Sequence, residues 1–226
     1  MTVARRRGID AGRRRRTAAD ALADLALVEE DRMTIQPAEG PGDVRLGLLY
    51  ACAAPEVPVP VRAPLMLQAV LGVDVRRMAG AFLVPPATLG QRLTRAKRRL
   101  GRSAFAIPAP DEAPDRTADV LAAIYAACAL GQSGDANLAG LGTEALWLAS
   151  LVAAALPDDA EAHGLFALIL FAEARRPAAR VAGRFVPLTE QDTALWDARL
   201  LADARAALRH TSGRLTLGRF QIEAAI

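Results

Sequence analysis

Residues 65–101 read LMLQAVLGVDVRRMAGAFLVPPATLGQRLTRAKRRLG. Three helical segments run through this stretch. The first is apolar and stops at Gly72. The second begins after Asp74, whose short side chain suits an N-cap, and turns Val75, Met78, Ala79 and Phe82 toward a core at helical spacing. The third opens at Pro85-Pro86, since proline fits the first turn of a helix, where a missing N–H costs nothing. It aligns Leu89, Leu93, Ala96 and Leu100 on one face. The other face carries Thr88, Gln91, Arg92, Arg95, Lys97, Arg98 and Arg99, without an acid among them. Arg pairs bidentately with guanine edges, Gln with adenine, and further Arg and Lys neutralise phosphates, so this face has the chemistry that reads a DNA major groove. A basic amphipathic helix taken alone is more simply a solvated surface helix. The order favours the DNA-facing reading: apolar helix, capped short helix, tight turn, basic helix predicts a helix-turn-helix. The turn lacks the glycine often found there.

The string AGAFLVPPATLGQRLTRAKRRL, residues 79–100, resembles region 4 of the extracytoplasmic-function (ECF) sigma factors, bacterial sigma-70-type initiation factors. The closer likeness is to the group with a long helical C-terminal extension, in which strings such as RAFLVPEATMAQRLVRAK occur. The resemblance implies a domain that binds the −35 promoter element and contacts RNA polymerase, with recognition on Thr88, Gln91, Arg92, Arg95 and Arg98. TVARRRGIDAGRRRR, near the start, is similar to the last helix of sigma region 2, which reads the −10 element. The helices that precede it in the family are missing, so a misplaced start, a truncation or a lost role is expected. Taken alone, this arm of seven Arg and one Asp reads as a disordered basic segment.

The 226 residues are 52% hydrophobic but only 4% aromatic, and Ala, Leu and Val dominate, which favours packed helices over sheets. The net charge of +3 conceals an asymmetry. Residues 1–102 hold 18 Lys and Arg against 10 Asp and Glu, residues 103–226 hold 10 against 15, so a nucleic acid would be met by the first half. Cys52 and Cys128 lie far apart in apolar surroundings and read as buried free thiols, suited to a reducing cytoplasm. With His163 and His210 they have no metal-ligand spacing. No uninterrupted apolar run reaches the ~18 residues of a membrane span.

Residues 17–45 turn acidic, with a linker at Gln36–Gly42. Asp43 to Cys52 reads as a helix ending before Pro55, and Pro55, Pro58 and Pro60 predict an extended loop. Residues 103–116 form a second linker, followed by an apolar helix over 117–130 and a small-residue loop from Gly131 to Gly142. Glu144–Leu156 and Ala160–Arg175 make a helical hairpin whose turn, Pro157-Asp158-Asp159, supplies capping acids. A single tetratricopeptide-like match, Ala162 with Phe166, lies in its second arm. Residues 176–188 read as a loop. Pro187 to Asp197 resembles the family string LLEDQDRSRWD, and Thr189 with Asp192 predicts a capping-box-like start for the next helix. Gly218–Ile226 resembles the family helix YQLQAAIAA.

These readings predict an all-α protein: a region 2 remnant and linker over 1–42, a helix-turn-helix domain over 43–102, a linker over 103–116 and a tetratricopeptide-like helical domain over 117–226. The expected function is ECF-type transcription initiation in the cytoplasm, with promoter DNA and the RNA polymerase core as partners, a protein regulator acting through the C-terminal helices, and no membrane. The alternative is a truncated sigma-like regulatory module without initiation activity. No enzyme is expected: there is no nucleophile–base pair, phosphate loop or metal cluster, and no cofactor is implied.

Overall fold

The computed structural model describes residues 44–101, 112–211 and 218–226. The expected region 2 remnant therefore lies outside the described residues. Among the described residues the fold is helical except for one two-stranded hairpin. In chain order the elements are α1 (Val44–Cys52), α2 (Val59–Ala69), α3 (Val75–Met78), α4 (Pro86–Leu100), α5 (Thr117–Gly131), α6 (Leu141–Ala155), α7 (Ala160–Arg175), β1 (Arg180–Val181), β2 (Arg184–Phe185), α8 (Ala198–Thr211) and α9 (Arg219–Ala225).

Local chemistry accounts for most boundaries. Asp74 caps α3, its carboxylate accepting from the Arg76 N–H at 2.8 Å. Pro86 starts α4 in its first turn. Asp159 caps α7 by accepting from the Ala162 N–H at 2.9 Å. Helix α3 is shorter than its apolar spacing suggests and ends at Met78. Met78 and Ala79 are buried, while Val75 and Phe82 are partly buried against the core.

Four expectations need correction. The extended loop predicted through Pro60 stops at Pro58, because Pro60 fits the first turn of α2. Pro64 lies inside the same helix, where it removes one i→i−4 bond. The first arm of the hairpin begins at Leu141, not Glu144. The loop over 176–188 contains an antiparallel ribbon, with Arg180 opposite Phe185 and Val181 opposite Arg184. Its turn residues Ala182 and Gly183 both have positive φ, 50° and 78°, as a two-residue hairpin turn requires. The predicted capping box at Thr189 and Asp192 does not start a helix. Asp192 caps a single 3₁₀ turn, Thr193–Leu195, and Asp197 caps α8 by accepting from the N–H groups of Arg199 and Leu200 at 2.9 and 3.0 Å.

The core does not stop at the expected domain boundary. It runs continuously from Leu46 through Leu65, Met66 and Leu93 to Ile124, Leu148, Leu165 and Phe220. The described parts of 43–102 and 117–226, expected as separate domains, share it because α2 packs on α5 and α1 touches α5 and α6. Polar bridges cross the same boundary. The hydroxyls of Tyr50 and Thr117 are hydrogen-bonded at 3.0 Å in full burial. Arg62 pairs with Asp119 and also donates from Nε to the Val57 carbonyl at 3.0 Å. Arg45 pairs with Glu144 at 2.9 Å and lies 3.9 Å over the Trp147 ring.

Ala136–Ala155 is long and apolar enough by length and composition to cross a membrane. Its buried residues, among them Leu148, Ala149 and Val152, pack with α5 and α7, and its Glu144 is paired with Arg45. That is the pattern of a core helix.

Candidate nucleic-acid interface

Helix α4 is fixed by its apolar stripe. Leu89, Leu93, Ala96 and Leu100 are buried against α2 and α3, each leucine contributing about 1.5–3 kcal/mol by the usual value of a buried side chain. That anchoring turns the remaining faces outward. Gln91, Arg92, Arg95, Lys97, Arg98 and Arg99 are exposed, and Thr88 is half-buried. Arg92, Arg95 and Arg99 form no ion pair among the described residues. Three cations, Lys97, Arg98 and Arg99, occupy the last turn, where the negative end of the helix dipole favours them.

Lys97 differs from its neighbours. It follows the buried Ala96, and partial desolvation there holds its ammonium below the ordinary lysine range, with Cys52 of α1 acting in the opposite direction. It is nevertheless exposed and stays with the basic face. All seven predicted residues lie on the one helix, outside its buried stripe. A further cation lies outside the predicted set: Arg76 on α3, exposed and without an ion pair among the described residues. Its signal in the sequence is the Val75-Arg76-Arg77 tract of the same stretch. Its neighbour Arg77 is engaged, pairing with Asp135 at 2.6 Å.

The connection between α3 and α4 has no glycine at its left-handed position. Leu83 occupies it at φ 52° and is 92% exposed. A left-handed non-glycine residue costs roughly 1–2 kcal/mol. The turn is held by the Val84 N–H donating to the Ala79 carbonyl at 3.2 Å.

The structure thus defines a helical protein with an exposed cationic helix clamped to a shared core. Residues 116–212, from the start of α5 to the end of α8, match a family of unknown function, DUF6596. Over 99% of its length the chain is 34% identical to an uncharacterized protein of Rhizobium meliloti (strain 1021), and the match covers 56% of that protein. The chain spans about half the length of this curated relative. No solved structure matches it. Helices α1–α4 fall before the family match and inside the match to the Rhizobium protein.

Proposed function

We propose that this chain is a sigma-factor-like DNA-binding protein of the ECF class, in which α3, the turn through Leu83 and α4 act as a helix-turn-helix on the −35 promoter element. In this reading α5–α9 form a tetratricopeptide-like helical domain that receives a protein regulator, and RNA polymerase core is the second partner. One observation carries the DNA-binding part: Gln91, Arg92, Arg95 and Arg99 are exposed on a helix whose other side is locked into the core, and the three arginines have no carboxylate among the described residues to neutralise them. The likeness of residues 79–100 to sigma region 4 supports the choice of promoter DNA. The residues divide by chemistry. Gln91, Arg92 and Arg95 have the hydrogen-bonding groups for base edges, while Arg98, Arg99 and Arg76 suit phosphates.

Fluorescence anisotropy on promoter duplexes tests this with wild type and with the Arg92→Ala/Arg95→Ala double variant. Both residues are exposed, so their replacement should leave the fold intact. A bidentate base contact contributes about 1–3 kcal/mol, so the double variant should bind at least about tenfold more weakly. The dependence on salt should become shallower by roughly one unit of slope for each phosphate that is no longer neutralised. Equal, sequence-indifferent binding by both proteins would remove the proposal.

A second reading is a helical regulatory protein that keeps the sigma-like arrangement without initiating transcription. The continuous core between α1–α4 and α5–α9 favours it, since a shared core suits a single regulatory unit. Capture of RNA polymerase core together with run-off transcription in vitro selects the first reading. Capture without run-off selects the second.

A further inference from the structure

A cavity of ≈ 470 Å³ lies where the loop between α5 and α6, the C-terminal end of α7 and the β-hairpin meet. That volume falls in the range of small-molecule sites. The charges around it are unevenly matched. Arg175 is half-buried at the end of α7. Its Nε donates to the Phe171 carbonyl at 3.0 Å, and it has no carboxylate partner among the described residues. Burial without a counter-charge holds its guanidinium below the ordinary arginine range. Arg180, on β1, donates to the Gln132 and Gly183 carbonyls at 2.9 and 3.2 Å, again without a carboxylate among the described residues.

Arg180 is also held in place. Its guanidinium lies against Gly134, where a Cβ would come within 2.8 Å of the Arg180 Cζ. Gly134 has φ 89°, a conformation that other residues rarely adopt. Two groups that could neutralise the cavity are already engaged. Asp135 pairs with Arg77 at 2.6 Å and accepts from Asn137 at 2.9 Å, and Glu173 lies 3.5 Å from Arg176. A half-buried cation without a counter-ion is a standing cost that an incoming anion offsets.

The rest of the lining narrows the kind of anion. Phe185 and Leu188 present apolar surface and are 67% and 46% exposed. Gln191 lines the same space with its Nε2 donating to the Val186 carbonyl at 3.0 Å. Its Oε1 accepts no hydrogen bond among the described residues, so an N–H or O–H donor has an acceptor there.

We propose that this cavity binds a small organic acid, with Arg175 and Arg180 taking the carboxylate, Phe185 and Leu188 covering its apolar body, and Gln191 accepting from an amide or hydroxyl beside it. The site lies on α7 and the hairpin, away from the exposed arginines of α4, and does not depend on DNA binding.

N-acetyl-L-phenylalanine carries all three features and serves as the probe, with its carboxamide and inorganic phosphate as comparisons. Isothermal titration calorimetry is run on the full chain. The acid should bind saturably, and the carboxamide at least about tenfold more weakly, since a hydrogen bond to a charged group is at stake. Arg175→Gln and Arg180→Gln should each weaken the acid by a similar factor, with circular dichroism reporting the fold. If Arg175→Gln fails to fold, Arg180→Gln carries the comparison. Equal binding of acid and carboxamide overturns the proposal, as does no binding up to about 10 mM. Phosphate binding as tightly as the acid overturns the organic-acid assignment, because the apolar walls then contribute nothing.

Discussion

Cys52 and Cys128 are buried thiols whose environments make them inert. Burial pushes the Cys52 thiol up to about 12, only partly opposed by Lys97. It pushes Cys128 up to about 12 as well, with the Glu173 charge adding to the effect and the Gln132 side chain, 3.4 Å from the sulfur, opposing it. The thiolate is the reactive form, so a disulfide-exchange reagent at pH 8 should modify neither cysteine in the native protein and both after denaturation. Modification at ordinary thiol rates in native buffer would contradict this. The same shifts set an alkaline limit. From an ordinary value of 9.0 to about 12 the native thiols keep their protons while the unfolded ones lose them. Stability from this source is therefore complete below pH 9 and falls as pH rises toward 12, with a slope of up to about 1.4 kcal/mol per pH unit per thiol. Urea midpoints at pH 8, 9 and 10 check the sign, and a Cys52→Ala/Cys128→Ala variant should show a flatter profile. Free, buried cysteines were legible from their apolar neighbours.

Helix α9 is held by α7 at two points, and a single glycine permits the approach. The Glu161 carboxylate accepts from the Phe220 N–H at 3.1 Å and from the Gln221 N–H at 3.3 Å, satisfying donors that a helix N-terminus leaves open. Three residues further along α7, Gly164 lies under the same backbone, and a Cβ there would be 2.7 Å from the Gln221 nitrogen. Two effects of Gly164→Ala compete. Alanine favours a helix interior by about 1 kcal/mol, whereas forcing backbone apart in a packed core costs about 1–3 kcal/mol. The clash is with backbone that cannot rotate away, so a net loss of roughly 1–2 kcal/mol is expected, with faster hydrogen exchange at the Phe220 and Gln221 amides. Higher stability with unchanged protection would show that α9 does not sit where this geometry puts it. Elements of this kind were unevenly legible. Residues 86–100 carry their own evidence, a proline start and a leucine stripe, and Asp74 and Asp159 announce the helices they cap. The start of α8 was misplaced because Asp192 and Asp197 are both competent caps and only the chain path after the hairpin selects Asp197. The ribbon at 180–185 was invisible because Ala182, not Asn or Gly, takes the first left-handed turn position.

At the scale of the whole molecule, the question is whether α1–α4 and α5–α9 can unfold separately. Sequence composition suggested two domains, since Pro-rich residues 103–116 divide a basic half from an acidic one. Composition marks a linker but says nothing about which apolar faces lie across it. The faces of α2 and α5 do lie against each other, and Arg62 with Asp119 sits within their contact, the side chains 16% and 22% exposed. Asp119→Ala would leave Arg62 largely desolvated and without its carboxylate. Breaking a fully buried pair costs about 3–5 kcal/mol, and the residual exposure of this one reduces that to roughly 2. For a chain of this size that corresponds to a fall in Tm of about 4–8 °C. Because the pair joins the two halves, the fall should appear in one cooperative transition and not in half of one. Tryptophan fluorescence, from Trp147 on α6 and Trp196 before α8, should coincide with far-UV circular dichroism, to which α1–α4 also contribute, in both wild type and variant. Calorimetric and van't Hoff enthalpies should agree for the unit these helices form. Two resolved transitions, with only the one reported by fluorescence moved by Asp119→Ala, would mean that the shared core is too weak to couple the halves. The cationic helix would then be a separable module, and the regulatory reading would lose the observation that favours it.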